Sequence, residues 1–135
     1  MKIFLDTNVL VSAVATRGLC VDVLREVLTS HELIVSDALL MELKRVLTRK
    51  LKVPSSHISE FLNLLTQDAV LAKPVGLPHV TIKDKDDLIL LASALGGNAD
   101  LFVTGDKELL ALAKVENLEN VSPRAFWEKL KSPPK

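Results

Sequence analysis

The chain has 135 residues, of which 48% are hydrophobic and 25% charged, and its 17 Lys and Arg balance 17 Asp and Glu. This length favours one domain whose core needs no disulfide or structural metal. A net charge of zero excludes general electrostatic attraction to nucleic acid or membrane, so any such binding requires a local patch.

Short apolar runs alternate with helical patterns along the chain. In order, the sequence predicts strand Lys2–Leu5, helices Val9–Ala15 and Cys20–Leu28, strand Leu33–Val35, helices Asp37–Leu51 and His57–Leu65, a weaker strand Val70–Ala72, helix Asp87–Leu95, strand Leu101–Val103, a weaker strand Asn120–Val121 and helix Phe126–Leu130. The strong strands are nearly continuous apolar runs, as in parallel strands covered on both faces. The alternation predicts an α/β fold with a mainly parallel sheet of about four or five strands.

One domain is expected over residues 1–131, with a disordered tail at 132–135. No stretch approaches the ~18 consecutive apolar residues of a membrane span. The first apolar run is broken by Asp6 and Asn8 before a signal peptide's apolar region can form. The single cysteine, Cys20, cannot form an intrachain disulfide, which favours a reducing compartment. We therefore expect a cytoplasmic protein without membrane association.

Acidic residues follow the predicted strands. The first strand ends at Asp6 and the third at Thr104, Gly105 and Asp106, while Glu42 lies in the helix after the second strand. Functional groups of a parallel sheet collect beyond the carboxyl ends of its strands. We therefore expect Asp6, Glu42 and Asp106 at one edge of the sheet.

A further acid is expected at the same edge. Asp87 opens a helix that is apolar nearly all round and is therefore expected to be buried. Asp86 is the second choice for this position. Glu42 borders the apolar stripe of its own helix, from which it can face a cleft.

Each of these acids could instead have only a structural role in the fold. Asp37 and either Asp86 or Asp87 can cap a helix N-terminus. Asp106 can shape a turn with Gly105, and Glu42 can be a solvated border residue. Asp6 is hardest to explain in this way, because it ends a core strand directly.

Converging carboxylates would repel one another unless their pKa values rise or a cation neutralises them. No arginine lies within the acidic motifs. Oxygen ligands favour a hard divalent cation, Mg²⁺ or Mn²⁺. Such a cation activates water and stabilises a departing oxygen, which suggests phosphodiester hydrolysis.

Basic residues follow Glu42 on the same helix. Lys44, Arg45 and Arg49, with two further lysines just after them, can guide an RNA backbone toward the acids. The alternative is a solvated helix face. Aromatic residues make up only 4% of the chain, so a stacking platform for bases is not expected.

The sequence contains four motifs in order: FLDTNVLVSAV, VSDALLMELKRVL, DKDDLILLASALGGNADLFVTGDKELL and the closing SPRAFWEKL. They resemble the motifs of the PIN domain family, in particular those of its VapC-like toxins of toxin–antitoxin pairs. The resemblance covers nearly the whole chain. It implies a three-layer α/β/α sandwich. It also implies a metal-dependent ribonuclease whose acidic centre is made of Asp6, Glu42, Asp87 and Asp106.

Within that centre, Asp6, Asp87 and Asp106 are expected to bind Mg²⁺ or Mn²⁺. The resemblance also implies that Asn8 and Thr104 hydrogen-bond and orient the carboxylates, with Asp86 in a supporting position. Many relatives form homodimers, and many are inhibited by a small antitoxin protein. RNA, a cognate antitoxin and a second copy of the chain are therefore the expected partners.

Other interpretations stay open at this stage. A haloacid dehalogenase-like phosphohydrolase would use Asp6 as nucleophile, but it needs a second acid where Asn8 stands. A signalling receiver domain would need an acidic pair where only Asp6 is available. A catalytically inactive PIN scaffold that binds RNA or protein is the third alternative.

Overall fold

The structure is a computed structural model and describes residues 1–131. Within these residues it contains six strands and seven helices. The strands are β1 (Lys2–Leu5), β2 (Glu32–Ser36), β3 (Val70–Ala72), β4 (Leu101–Val103), β5 (Lys114–Val115) and β6 (Leu118–Val121). The helices are α1 (Thr7–Ala15), α2 (Leu19–Ser30), α3 (Asp37–Arg49), α4 (Ser55–Thr66), α5 (Lys85–Gly96), α6 (Lys107–Ala111) and α7 (Pro123–Lys131). The predicted tail at 132–135 lies outside the described residues.

The strands form one sheet in the order β3-β2-β1-β4-β6-β5. All neighbouring pairs are parallel except β5 and β6, which are antiparallel. Helices flank this sheet, so the predicted α/β sandwich with a mainly parallel sheet is confirmed. The predicted strand number was too low, because the two-residue strand β5 is too short and too polar to give an apolar run.

The chain reverses direction across the sheet between β1 and β4. It passes from β1 outward through β2 to β3, and then returns to place β4 on the other side of β1. The carboxyl ends of β1 and β4 therefore lie side by side at a topological switch point. In open α/β sheets this crevice is where ligands bind.

The central strands are covered on both faces. The three residues of β1 that precede Asp6, Ile3, Phe4 and Leu5, are fully buried. Phe4 and Phe102 on the neighbouring strand stack with ring centroids 5.2 Å apart and planes 9° apart. Burial of each such aromatic ring stabilises the fold by roughly 2–3 kcal/mol. The centre of the sheet is thus a rigid support for whatever follows its strand ends.

The N-cap residues of α3 and α5 differ from those predicted. Ser36 caps α3 by accepting a hydrogen bond from the Leu39 backbone N–H at 3.2 Å, so Asp37 is the first helical residue. Asp84 caps α5 by accepting from the Asp86 N–H at 2.8 Å. In both places several suitable caps stand next to each other, and the structure uses the earlier one.

Two further helix boundaries concern α6 and α7. Helix α7 begins at Pro123, and Ser122 Oγ accepts from the Ala125 N–H at 3.0 Å. Helix α6 was not predicted, because five residues are too few to show a helical period. Its N-cap is Asp106, whose side chain accepts from the backbone of the first turn.

Within residues 1–131 no single helix has the length and apolar character to cross a membrane. Helices α1 and α2 meet those criteria only as a pair, and they are bent by 111° relative to each other.

Candidate active site

Asp6 lies at the end of β1 and is only 3% exposed. Its backbone N–H donates to the carbonyl of Val103 at 2.9 Å, so the residue still belongs to the sheet. Its side chain caps α1, with Oδ1 accepting from the Thr7 N–H at 2.8 Å. The carboxylate is therefore fixed between a strand end and a helix start, where backbone N–H groups favour negative charge.

Thr104 and Asn8 connect Asp6 to the end of β4. The Thr104 hydroxyl donates to Asp6 Oδ2 at 2.7 Å and accepts from the Asp106 N–H at 3.0 Å. Asn8 Nδ2 donates to the same Asp6 oxygen at 3.1 Å, while Asn8 Oδ1 accepts from the Gly105 N–H at 3.0 Å. Two strand ends that are almost a hundred residues apart in sequence are thus joined by side-chain hydrogen bonds.

Asp106 is half-buried at the start of α6. Its Oδ1 accepts from the Glu108 N–H at 2.8 Å and the Leu109 N–H at 3.2 Å. Capping of α6 therefore uses one carboxylate oxygen of Asp106. Its other oxygen, Oδ2, accepts no hydrogen bond from the described residues and is left for a ligand.

Glu42 and Asp87 come from two helices on either side of a groove. Both are half-buried, and neither carboxylate accepts a hydrogen bond from residues 1–131. Glu42 is in the second turn of α3, and Asp87 is in the first turn of α5. These two side chains therefore contribute negative charge that no donor within the described chain neutralises.

The acids interact electrostatically across the site. Burial raises the pKa of the Asp6 carboxyl above its ordinary value, against the opposing effect of the hydrogen bonds from Thr104 and Thr7. The negative charges of Glu42 and Asp106 raise it further. The N-terminal capping geometry favours ionised Asp6, whereas its burial and acidic neighbours disfavour it.

The effect is larger at Asp87. The pKa of Asp87 is raised from 3.8 to about 7, mainly by burial and next by the charge of Asp6. Smaller contributions in the same direction come from Asp84, Asp106 and Glu42. The fold therefore brings the four acids close enough that the charges of Glu42 and Asp106 help to disfavour the ionisation of Asp6 and Asp87.

Asp86 occupies a different position from Asp87. It is exposed, and it lines the groove between α3 and α5 together with Glu42. Asp84, the third acid of this segment, is the α5 cap. Of the two candidates for the third acid, Asp87 is the one that shares a charged environment with Asp6.

The carboxylates of this site can supply only part of the coordination shell of a hard divalent cation. No group of three or more acidic, histidine or cysteine side chains within residues 1–131 is arranged to hold a metal ion directly. Mg²⁺ usually keeps several waters and uses one or two carboxylates, with substrate phosphates completing its shell. The all-oxygen set and the raised pKa values of Asp6 and Asp87 fit such a site, and they do not fit a closed protein cage.

The basic residues from the same sequence motif lie beside the acids. Lys44, Arg45 and Arg49 line the α3/α5 groove together with Glu42. All three cations are exposed, and none forms an ion pair with another described residue. Their charge is therefore available to a ligand in the groove.

Three contributions to this region were not predicted from sequence. The Gly105 N–H holds Asn8, and the Glu108 carboxylate accepts from the Lys83 N–H at 2.9 Å, which ties the segment before α5 to α6. Neither contact has a local sequence signal. Met41 also lines the groove. The sequence could have indicated this, because Met41 is a large apolar residue outside the apolar stripe of α3.

Comparison with known proteins bears on the family and the fold of the chain. The family profile described as PIN domain matches residues 2–108. A search of curated proteins finds no match. Among solved structures, VapBC-1 from nontypeable Haemophilus influenzae is similar with a TM-score of 0.65 and 18% identity, covering 92% of this chain and 99% of that chain.

VapBC2 from Rickettsia felis, bound to a DNA fragment from its promoter, is similar with a TM-score of 0.62 and 16% identity, covering 90% of this chain and 98% of that chain. At these identities the two likenesses concern the fold. The profile covers well over half of the sequence, and the resemblance noted from the motifs is confirmed. The chain belongs to the PIN domain family.

Proposed function

We propose that the protein is a metal-dependent endoribonuclease that hydrolyses RNA phosphodiester bonds at Asp6, Glu42, Asp87 and Asp106. The observation that carries this proposal is the convergence of four carboxylates at the switch point of the sheet, where burial and mutual repulsion raise two of their pKa values. A site that concentrates carboxylates, none of which forms an ion pair with a Lys or Arg among the described residues, suits a divalent cation. Family membership supports the same reaction class.

The residues have distinct proposed roles. Asp6, Asp87 and Asp106 bind Mg²⁺ or Mn²⁺, and Glu42 provides a further carboxylate for orienting water. Thr104 and Asn8 act through Asp6 by holding its Oδ2 at 2.7 and 3.1 Å. A divalent cation in this place supplies activation of water and stabilisation of the departing oxygen.

Asp86 has a supporting role in this proposal, at the groove side of the acidic centre. Lys44, Arg45 and Arg49 contact the RNA backbone on the same side. The carboxylates alone would repel a phosphate backbone, so adjacent positive charge is needed to bring substrate toward them.

For partners we propose a cognate antitoxin protein and a second copy of the chain, acting in the cytoplasm. The two similar solved structures are described as VapBC assemblies, which supports a toxin of a toxin–antitoxin pair. RNA as substrate and a homodimer or higher homo-oligomer rest on the family resemblance.

The test of the reaction is cleavage of a mixed RNA pool by purified protein with Mn²⁺, Mg²⁺ or EDTA. Wild type should degrade RNA only with the metal, and Asp6→Asn should lose at least about 100-fold of the rate, because it weakens the buried ligand on which the others depend. Asp68→Asn is the matched control, since Asp68 is exposed and precedes the amino end of β3.

Equal degradation by wild type and Asp6→Asn would contradict the proposal. Mn²⁺ binding without cleavage would instead favour the inactive PIN scaffold. Covalent phosphate on Asp6, detected by mass spectrometry after incubation with phosphate esters, would favour the phosphohydrolase alternative. Isothermal titration should show Mn²⁺ binding that depends on both Asp6 and Asp87.

A further inference from the structure

A groove of about 610 Å³ lies between α3 and α5, beside the acidic centre. Leu90 forms its buried floor, and Ala38 and Ile89 are half-buried on its two sides. Met41 lines the same groove, although 72% of its surface is exposed, which makes it the most exposed large hydrophobic residue within residues 1–131. A concave site of this size suits a ligand with an apolar part.

The groove opens onto the acids through Glu42. This residue lines the groove, and its charge contributes to the raised pKa values of Asp6 and Asp87. Arg45 and Arg49 follow Glu42 at i+3 and i+7, so the three side chains lie along one face of α3. The arginines are four residues apart, about 6 Å along the helix axis, and lie farther along α3 than Glu42.

The charge around the groove indicates the chemistry of its ligand. Five of the 17 Lys and Arg of the chain lie within residues 44–52, where no acid occurs. Since the whole chain is neutral, this segment is a local positive patch. Arginine presents several donors in a planar fork that matches phosphate oxygens, and neither Arg45 nor Arg49 is paired within residues 1–131.

A nucleotide has an apolar base and a charged phosphate, so it fits an apolar surface that lies beside groups able to bind phosphate. The flat face of a base can pack on the thioether of Met41, because sulfur makes favourable contacts with aromatic rings. Aromatic residues are absent from the residues that line the groove, so Met41 is the one flexible apolar side chain there that reaches outward. A peptide partner would use the apolar surface but has less need for the row of arginines.

We propose that the α3/α5 groove is a nucleotide subsite that binds the RNA on one side of the scissile phosphate, with Arg45 and Arg49 on the backbone and Met41 under a base. This inference rests on the proposed ribonuclease function, which supplies the scissile phosphate at the acids. Met41 becomes a residue that selects bases by packing. Packing on a methionine depends on the size of the base and not on its hydrogen-bonding groups. We therefore expect the subsite to bind purines more tightly than pyrimidines.

The experiment measures binding by fluorescence anisotropy in EDTA, where no metal-dependent cleavage occurs. Two labelled probes are used, an eight-nucleotide oligoadenylate and an abasic strand with the same number of phosphates. Met41→Ala should weaken oligoadenylate binding about two- to ten-fold and leave the abasic strand unchanged. Met41→Leu, which keeps the apolar volume, should retain most of the affinity.

The arginine variants test the backbone contacts. Arg45→Gln and Arg49→Gln should weaken both probes and lower the slope of log affinity against log salt by about 0.7 each. Arg25→Gln is the matched control, because Arg25 is an exposed arginine of α2 with only a 4.0 Å pair to Asp22. It should bind both probes as wild type does.

Several results would overturn the subsite. One is an equal effect of Met41→Ala on both probes, or no effect on either; another is that Arg45→Gln and Arg49→Gln bind both probes as Arg25→Gln does. Unchanged RNA binding in all groove variants would assign the groove to a peptide partner instead. Failure of the ribonuclease proposal is separable: wild type would then show no Mn²⁺-dependent cleavage, while the binding pattern of the variants would still hold.

Discussion

At the residue scale, one hydroxyl connects the first and last acids of the site. Thr104 Oγ1 donates to Asp6 Oδ2 at 2.7 Å and accepts from the Asp106 N–H at 3.0 Å, in a position that is fully buried. Since the hydroxyl carries one proton, its donation to Asp6 fixes the direction of both bonds. The geometry of the two carboxylates therefore depends on a side chain that is itself neutral.

Thr104→Val removes this hydroxyl with little change in volume. We expect Mn²⁺ affinity and kcat/KM for RNA to fall about 10- to 100-fold, as for other groups that orient metal ligands. The unpaired Asp106 N–H should also cost about 1–3 kcal/mol of stability. Thr104→Ser restores the hydroxyl and should restore metal affinity, whereas equal Mn²⁺ affinity of the Val and Ser variants would show that the hydroxyl does not orient the site.

Asp87 makes the stability of the metal-free protein depend on pH. Its folded pKa is raised to about 7 from an ordinary 3.8, so the folded state binds more protons than the unfolded state between these values. Stability should therefore be highest below about pH 4 for this group and should fall as pH rises to about 7. Asp6, whose pKa is also raised, acts in the same direction.

Asp87→Asn should remove the contribution of Asp87 to this dependence. In EDTA at pH 7.5 we expect the variant to be about 1–2 kcal/mol more stable than wild type, a modest value because solvent screens a half-buried carboxyl. At pH 4 the difference should nearly vanish. Urea denaturation at both pH values measures it, and a variant that is less stable than wild type at pH 7.5 would contradict the assignment.

At the scale of elements, α5 is held against the sheet at its C-terminal end while its N-terminus carries Asp87. A Cβ added at Gly96 would collide with the backbone carbonyl of Lys73, which cannot move aside as a side chain could. At Gly97 a Cβ would come within 2.6 Å of Ile34 and 2.8 Å of Ala72. Gly96, the last residue of α5, and Gly97, its C-cap, thus permit the close approach of α5 to β2 and β3.

Gly96→Ala should therefore cost about 2–4 kcal/mol, at or above the usual penalty for an overpacked contact. Gly18→Ala is the control, since its Cβ would lie 3.8 Å from Thr16 Oγ1, an ordinary contact, and a change within about 0.5 kcal/mol is expected. Chemical denaturation compares the two variants. If they were equally stable, the close packing of α5 on the sheet would not be a determinant of the fold.

At the scale of the whole molecule, the features predicted from the sequence were those encoded by short stretches of neighbouring residues. Each strong strand was visible as an apolar run, and Asp6 and Asp106 were visible because they lie within three residues after such runs. Local patterns could not predict contacts between distant segments: the bond from Thr104 to Asp6 was expected only from the family resemblance, and the bond between Lys83 and Glu108 was not expected at all. Short elements such as β5 and α6 were also missed, because their formation depends on neighbours and not on their own pattern.

The arrangement of the sheet predicts how the whole protein responds to a cation. Four acids from separate parts of the chain are collected at the switch point, so their repulsion opposes folding until positive charge is bound. Mn²⁺ at 100 times its dissociation constant should stabilise the protein by about 2.7 kcal/mol. The gain should be smaller at pH 5.5 than at pH 7.5, because protons compete for Asp87, whose pKa is about 7.

Thermal melts with and without Mn²⁺ at both pH values measure this response. Asp68→Asn should show the full gain, whereas Asp6→Asn and Asp87→Asn should lose most of it. Matched concentrations of NaCl separate site binding from ionic screening, which acts on all exposed charges alike. A gain that was the same in all four proteins would mean that Mn²⁺ binds elsewhere. The four acids would then be a source of instability that the fold tolerates without a bound cation.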